Sequence, residues 1–254
     1  YNSEFNGLGR PEVWMGVGWQ LGGLSSIRRV SVGYGTPFYE NKRDVFLLDG
    51  AELMACDDQD ATNQYSWDYP SDYKTENLSA SCSSGGNMST RVESYRKIIR
   101  SSHTYDGGPV DFFQVWDRDG TRYFYQSIGK LAGIPRDIND SDYDSNFNRL
   151  FLLTEIRNTQ TTLTRVQISY QFDTRSRALA HRPHKISYPG YEIEFHYRKL
   201  DDPLATYGVG VSDLIGEQNY LLRSLTVQTD TGTKIRGWKF AFSPTTHTNR
   251  YLLQ

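Results

Sequence analysis

Two aromatic-rich runs, Val110 to Trp116 and Thr121 to Gln126, are separated only by Asp117-Arg118-Asp119-Gly120. Asp-Gly between such runs supplies the left-handed backbone of a tight hairpin turn, which makes Asp119 and Gly120 the strongest local folding signal in the chain. The arrangement recurs. Asp44 to Leu48 closes on Asp49-Gly50, and Ser94 to Arg100 leads into a turn around Asp106-Gly107-Gly108-Pro109. Leu150 to Ile156 precedes Leu163 to Tyr170, and Lys185 to Tyr188 faces Tyr191 to Tyr197 across Pro189-Gly190. Tyr220 to Thr229 returns as Thr233 to Phe242 through Asp230-Thr231-Gly232. Alternation gives these runs two faces: Tyr191, Ile193, Phe195 and Tyr197 share one, Glu192, Glu194 and His196 the other. A hairpin cannot bury its apolar face alone, so serial hairpins must stack. The predicted fold is all-β, with serial antiparallel hairpins forming a large curved sheet.

Composition agrees with this. The 254 residues include 18 Tyr, 12 Phe and 5 Trp beside 22 Gly, a mixture that suits pleated, half-wet surfaces better than helices. No Gly/Ser or Pro-rich linker divides the chain, so residues 1–254 read as a single module carrying two irregular stretches, 56–90 and 127–148. A formal charge of −2 leaves no electrostatic footprint for nucleic acid, and no apolar run reaches the ~20 residues that direct membrane insertion of a helix requires. Tyr1-Asn2-Ser3-Glu4 is neither an initiator nor a secretion signal, so the chain reads as a piece of a longer protein.

The second constraining feature is Gly16-Val17-Gly18-Trp19-Gln20-Leu21-Gly22-Gly23-Leu24-Ser25-Ser26-Ile27. Gly16, Gly18, Gly22 and Gly23 at this density imply positive φ or close backbone approach, with Trp19 laid across the bare backbone to seal a corner. Leu21 stands where the third glycine of a dinucleotide fingerprint belongs, and no helical pattern follows. Ile27 replaces the final glycine of a nucleophile elbow around Ser25 and Ser26.

No other constellation completes a catalytic or metal set. Asp140, Asp142 and Asp144 alternate like the start of a calcium loop, but Ser145 and Phe151 occupy the positions that need Gly and Glu. His181 and His184 flank Pro183, which argues against a helix presenting both to zinc and for a polar loop. Glu192 and Glu194 share a solvent face without a convergent partner carboxylate. No cofactor is expected. Cys56 and Cys82 flank a polar excursion that a disulfide could close in an oxidising compartment, or they could stay unpaired, since spacing alone leaves their separation open.

Several segments resemble the N-terminal region of SpvB-like virulence proteins, Tc-toxin B components and Rhs/YD-repeat proteins. They are Tyr1-Asn2-Ser3 with Gly16 to Arg29, Leu47-Leu48-Asp49-Gly50-Ala51-Glu52-Leu53, Arg91 to Arg100, Phe113 to Tyr125, and the Arg198 to Asp202 spacer with Tyr207-Gly208. The resemblance implies a secreted, non-enzymatic segment of a β-sheet shell that spirals into a hollow cocoon around a toxic polypeptide. Its implied partners are the remaining shell repeats and that encapsulated cargo. The family's toxic domain, propeller and self-cleaving lid have no counterpart in these residues, so none of those activities carries over.

A carbohydrate-binding or adhesive β-sandwich is the alternative, on the strength of the Tyr and Trp content. Such a module closes on itself, whereas a shell segment leaves unpaired strand edges.

Overall fold

The computed structural model describes residues 14–16, 19, 21–40, 43–56, 79–159, 165–173, 179–206, 216–244 and 251–253. They are strands and turns apart from three short helices, and every strand pairing is antiparallel. The chain divides into two compact units, one of Ser25–Arg165 and one of Tyr1–Leu24 with Val166–Gln254.

The first unit holds β1 (Ser26–Ser31), β2 (Asp44–Leu48), β3 (Ala51–Ala55), β4 (Met88–Thr90), β5 (Lys97–Tyr105), β6 (Gly108–Trp116), β7 (Arg122–Ser127) and β8 (Leu150–Arg157). Each strand pairs with the next. β8 then returns to β1 through Ser26↔Leu152, Ile27↔Phe151 and Arg28↔Leu150, closing an eight-stranded barrel. Eight strands leave an interior just wide enough for side chains to fill, and this one is filled. Phe113 sits 4.9 Å from Phe151 and 5.2 Å from Phe46, ring edges against ring faces. Ile27, Ile98, Val115 and Leu153 are buried with them. Val30, Val45 and Leu47 form a small cluster on the other face of β1 and β2.

Turn chemistry sets the hairpin registers. Asp49 (φ 50°) with Gly50 (φ 91°) and Asp106 (φ 46°) with Gly107 (φ 78°) each make a two-residue loop with both φ positive, the pattern that matches strand twist. The second loop is tighter than the predicted turn, so Gly108 and Pro109 belong to β6. Pro109 is tolerated there because β7 pairs with β6 only from Phe112 on, so no ladder donor is needed on that side.

The stretch 79–90, read as irregular, contains helix α1 (Ala80–Ser83) and β4. The Ser79 hydroxyl accepts from the Ser81 amide at the helix start. β4 meets β5 at Met88↔Ile98, and the buried Ser81 hydroxyl bridges them, donating to the Met88 carbonyl (2.5 Å) and accepting from the Ile98 amide (2.9 Å). The stretch 127–148 likewise contains α2 (Ile128–Leu131) and α3 (Tyr143–Phe147), anchored by the buried Ile128 and Phe147. Helices of four or five residues are too short to print a 3.6-residue period on the sequence.

The second unit is an open sheet of β9 (Arg165–Asp173), β10 (Ala180–Tyr188), β11 (Tyr191–Thr206), β12 (Gly216–Thr229) and β13 (Lys234–Lys239), with β14 (Phe242–Pro244) paired to β15 (Tyr251–Leu253). Its two faces follow the predicted alternation. Ile168, Ile186, Ile193 and Val227 stand in one cross-strand row that ends on Arg236, while Gln167, Ser187, Glu192 and Gln228 form a row on the opposite face. His181 and His184 lie in β10, which corrects their reading as a polar loop. Pro183 between them is buried at a β-bulge, the place where a sheet interior accepts proline.

Phe113→Ala is expected to destabilise the barrel by about 3–5 kcal/mol, because it removes the ring shared by both close aromatic contacts. Urea unfolding checks this, with exposed Val92→Ala as a near-neutral control.

Candidate functional site

The glycine-tryptophan stretch straddles the two units, ending in the second unit at Leu24 and entering the barrel at Ser25. Gly16 is held at φ 78°, and a Cβ there would stand 2.7 Å from the Tyr251 carbonyl oxygen, so close strand approach excludes any side chain. Gly23 also has positive φ, whereas Gly22 has neither a special φ nor a close neighbour, and Gly18 lies outside the described residues. Trp19 is half-buried.

Ser25 fastens the end of the stretch to the β2–β3 turn. Its hydroxyl donates to Asp49 Oδ2 (2.5 Å) and lies 2.9 Å from the Tyr125 hydroxyl, while the Ser26 amide donates to Asp49 Oδ1 (3.0 Å). Burial raises the pKa of Tyr125, so the phenol stays protonated. The arrangement fixes a strand end. It offers no imidazole to activate Ser25, and Asp49 is occupied in holding two donors.

Several charges in and around the barrel are paired. Arg29 and Asp44, both almost fully buried, meet at 2.9 Å, and Asp44 also accepts from the Phe38 amide at 2.8 Å. Arg100 bonds Asp111 at 2.6 Å and lies over the Phe46 ring. Glu52 accepts from the Tyr34 hydroxyl (3.1 Å) and from Arg91 (3.2 Å). Glu155 is gripped by Arg157 and by Arg165 (2.5 Å).

The acidic loop uses its carboxylates locally. Asp140 accepts from the Asp142 amide at 2.9 Å, and Asp144 accepts from the Asn148 side-chain amide at 2.6 Å. Among the described residues no group of three or more His, Cys, Asp or Glu converges to hold a metal ion. Glu192 accepts from Lys185 (2.9 Å) and Gln228 (3.3 Å), and the Lys185 bond lowers its pKa. His184 bonds Gln171, and His181 packs its ring edge on Trp14.

Two features escaped the sequence reading. His103 on β5 and Lys130 on α2 meet at 2.5 Å between Nε2 and Nζ. Desolvation and the Lys130 charge lower the His103 pKa against the opposing pull of Asp111, and desolvation lowers that of Lys130. Nε2 therefore accepts as a neutral imidazole. The second feature is β13. All six of its residues are exposed, including Ile235 and Trp238 at 55% and 42%, and among the described residues it pairs with β12 alone. A pocket of about 290 Å³ lies between Arg198–Leu200 and the β14–β15 pair.

Cys56 and Cys82 are joined, with Cα atoms 5.6 Å apart and a sequence separation of 26. The bond ties the end of β3 to α1.

Among solved structures, the chain is similar to the N-terminal domain of the effector protein SpvB from Salmonella typhimurium strain LT2. The TM-score is 0.64 at 16% identity, over 98% of this chain and 88% of that one. The fold is SpvB-like. No family model matches the sequence, and no curated protein matches it significantly. The turns at Asp49-Gly50 and Asp119-Gly120 hold the hairpin registers in that fold, with Gly120 at φ 82° and its amide donating to Asp117 at 2.9 Å.

Reducing the disulfide is expected to cost about 3 kcal/mol by the loop-entropy relation, read as a lower urea midpoint with reductant and reproduced by Cys56→Ser/Cys82→Ser without it. His103 supplies a pH signature. Because its folded-state pKa is lowered, the unfolded chain binds more protons in the window below about 6.5, and stability is lost as pH falls through that window. His103→Gln is expected to flatten that slope in pH-dependent melting, and an unchanged slope would remove His103 as its source.

Proposed function

We propose that the chain is a non-enzymatic structural segment of a secreted bacterial toxin, forming part of the hollow β-shell that encloses a toxic polypeptide before delivery. The observation that carries this reading is the open sheet β9–β13, two-faced along its cross-strand rows and ending on an exposed strand that, among the described residues, pairs on one side only. Such a sheet is suited to continue into further strands. The barrel interior is packed with Phe46, Phe113 and Phe151, so a cargo would be held by sheet surface and not inside the barrel.

Likeness of fold to the N-terminal domain of the effector protein SpvB supports the reading. The titratable groups also fit a wall: the close ones are tied up in pairs that hold strands together, as at Asp49, Glu52 and Glu192. The remaining shell repeats are the partners this requires.

Electron microscopy of the intact parent protein is expected to show a hollow shell with this segment in its wall. A solid particle, or specific glycan binding by the isolated chain on an array, would replace the proposal with the adhesive module.

A further inference from the structure

Every residue of β13 is exposed, and among the described residues the strand pairs on one side only. Its sequence, Lys234-Ile235-Arg236-Gly237-Trp238-Lys239, is exposed throughout, and it pairs with β12 from Ser224↔Lys239 to Gln228↔Lys234. Along its outer side, alternate residues direct backbone N–H and C=O groups away from β12, a ready template for one more strand. Lysine on an edge can simply guard against aggregation. Guarding does not account for Ile235 and Trp238, which expose large apolar area beside those charges.

The charges define what fits. Lys234, Arg236 and Lys239 are the ionisable residues of the strand and all are cationic, with the exposed Arg223 on β12 next to its C-terminal end. The Arg236 guanidinium lies 5.0 Å from the Trp238 ring centroid, so charge and apolar surface form one patch. A second copy of this chain is a poor occupant. Laid antiparallel over its full length, β13 against β13 would set Lys234 opposite Lys239 at both ends, and like charges across a strand pair are destabilising.

We infer that the β13 edge is a docking site for an acidic β-strand of a partner segment, one that alternates Asp or Glu with apolar residues and extends the sheet by backbone pairing. The register puts Lys234 and Lys239 on the face of Gln228 and Ser224 and puts Arg236 with Trp238 on the face of Val227 and Leu225, so the strand's carboxylates meet Lys234 and Lys239 on one face while its apolar side chains cover Trp238 beside Arg236 on the other. Backbone bonds give the affinity and charge gives the selection. The inference deepens the wall-segment reading by specifying which strand comes next. The two fail separately: a solid parent particle would end the shell while leaving this edge selective, and an unselective edge would leave a hollow shell intact.

Fluorescence anisotropy of the full chain with labelled extended peptides tests it. One peptide alternates Glu with Val and Thr, a second replaces every Glu with Lys, and a third is the acidic peptide with alternate backbone amides N-methylated. The acidic peptide is expected to bind at least roughly tenfold more tightly than the basic one. N-methylation should abolish binding, and Lys234→Glu with Lys239→Glu should reverse the preference. These substitutions lie on an exposed edge, and circular dichroism melts confirm that the variant stays folded. Equal binding of the acidic and basic peptides would overturn the inference. So would retention of binding after N-methylation, which would mean charge attraction without strand pairing. Absence of acidic-peptide binding up to about 1 mM, or self-association through β13 in sedimentation, would overturn it as well.

Discussion

The barrel depends on one long-range pairing, β1 against β8. β1 is bonded on both sides, Ile27 facing Leu48 on β2 and Phe151 on β8, with the Arg29 amide donating to the Arg149 carbonyl at 2.7 Å. Without it the eight strands would be a curved sheet with two raw edges. With it they enclose a dry interior, and several otherwise costly features become tolerable. Arg29 and Asp44 are buried together where each would be expensive alone, and removing one partner of such a pair costs roughly 3–5 kcal/mol because the other stays desolvated. Burial raises the Tyr39 pKa to about 12, and its ring lies 5.7 Å from the Arg29 guanidinium although its backbone sits at φ 60°. A bulky residue holds that conformation only where its surroundings fix it.

Much of this was legible in advance, for a definite reason. Hairpins are local, so Asp49-Gly50, Asp119-Gly120 and Asp230-Thr231-Gly232 mark their turns in the sequence itself, and the alternation at 191–195 gives the two faces directly. Closure was not legible. Pairing Ile27 with Phe151 joins residues more than a hundred positions apart, and nothing in either strand names its partner. The same limit applied to Cys56 and Cys82, whose 5.6 Å Cα separation is a property of the fold and not of their spacing.

The misplaced elements share a cause as well. α1, α2 and α3 are held by one to three buried residues each, among them Ser81, Ile128 and Phe147, and span too few residues to make a period. His181 and His184 read as loop residues because Pro183 lies between them, yet a bulge admits proline to β10. The glycine-tryptophan stretch was informative in part: Gly16 answers to close approach, whereas Gly22 has open space around it. Its anchorage comes from Ser25 bonded to Asp49, a contact that glycine spacing could not announce.

One hairpin chemistry thus builds two kinds of sheet in the same chain, and the difference lies in how the rows of side chains end. In the barrel, β1 and β8 bring Ile27 and Phe151 together, and both are fully buried, so the apolar row has no terminus. In the second unit the row Ile168, Ile186, Ile193, Val227 runs out at Arg236, and the next row, Phe195 and Leu225, runs out at Trp238. An apolar row that stops at an exposed tryptophan flanked by cations is neither a sealed core nor an ordinary solvated strand. Among the described residues its outer backbone edge takes no strand partner, which is the position the proposed acidic strand would fill. Closure by pairing and termination by charge are therefore two solutions to the same problem of the exposed edge, and only the second leaves a surface on which more protein can be built.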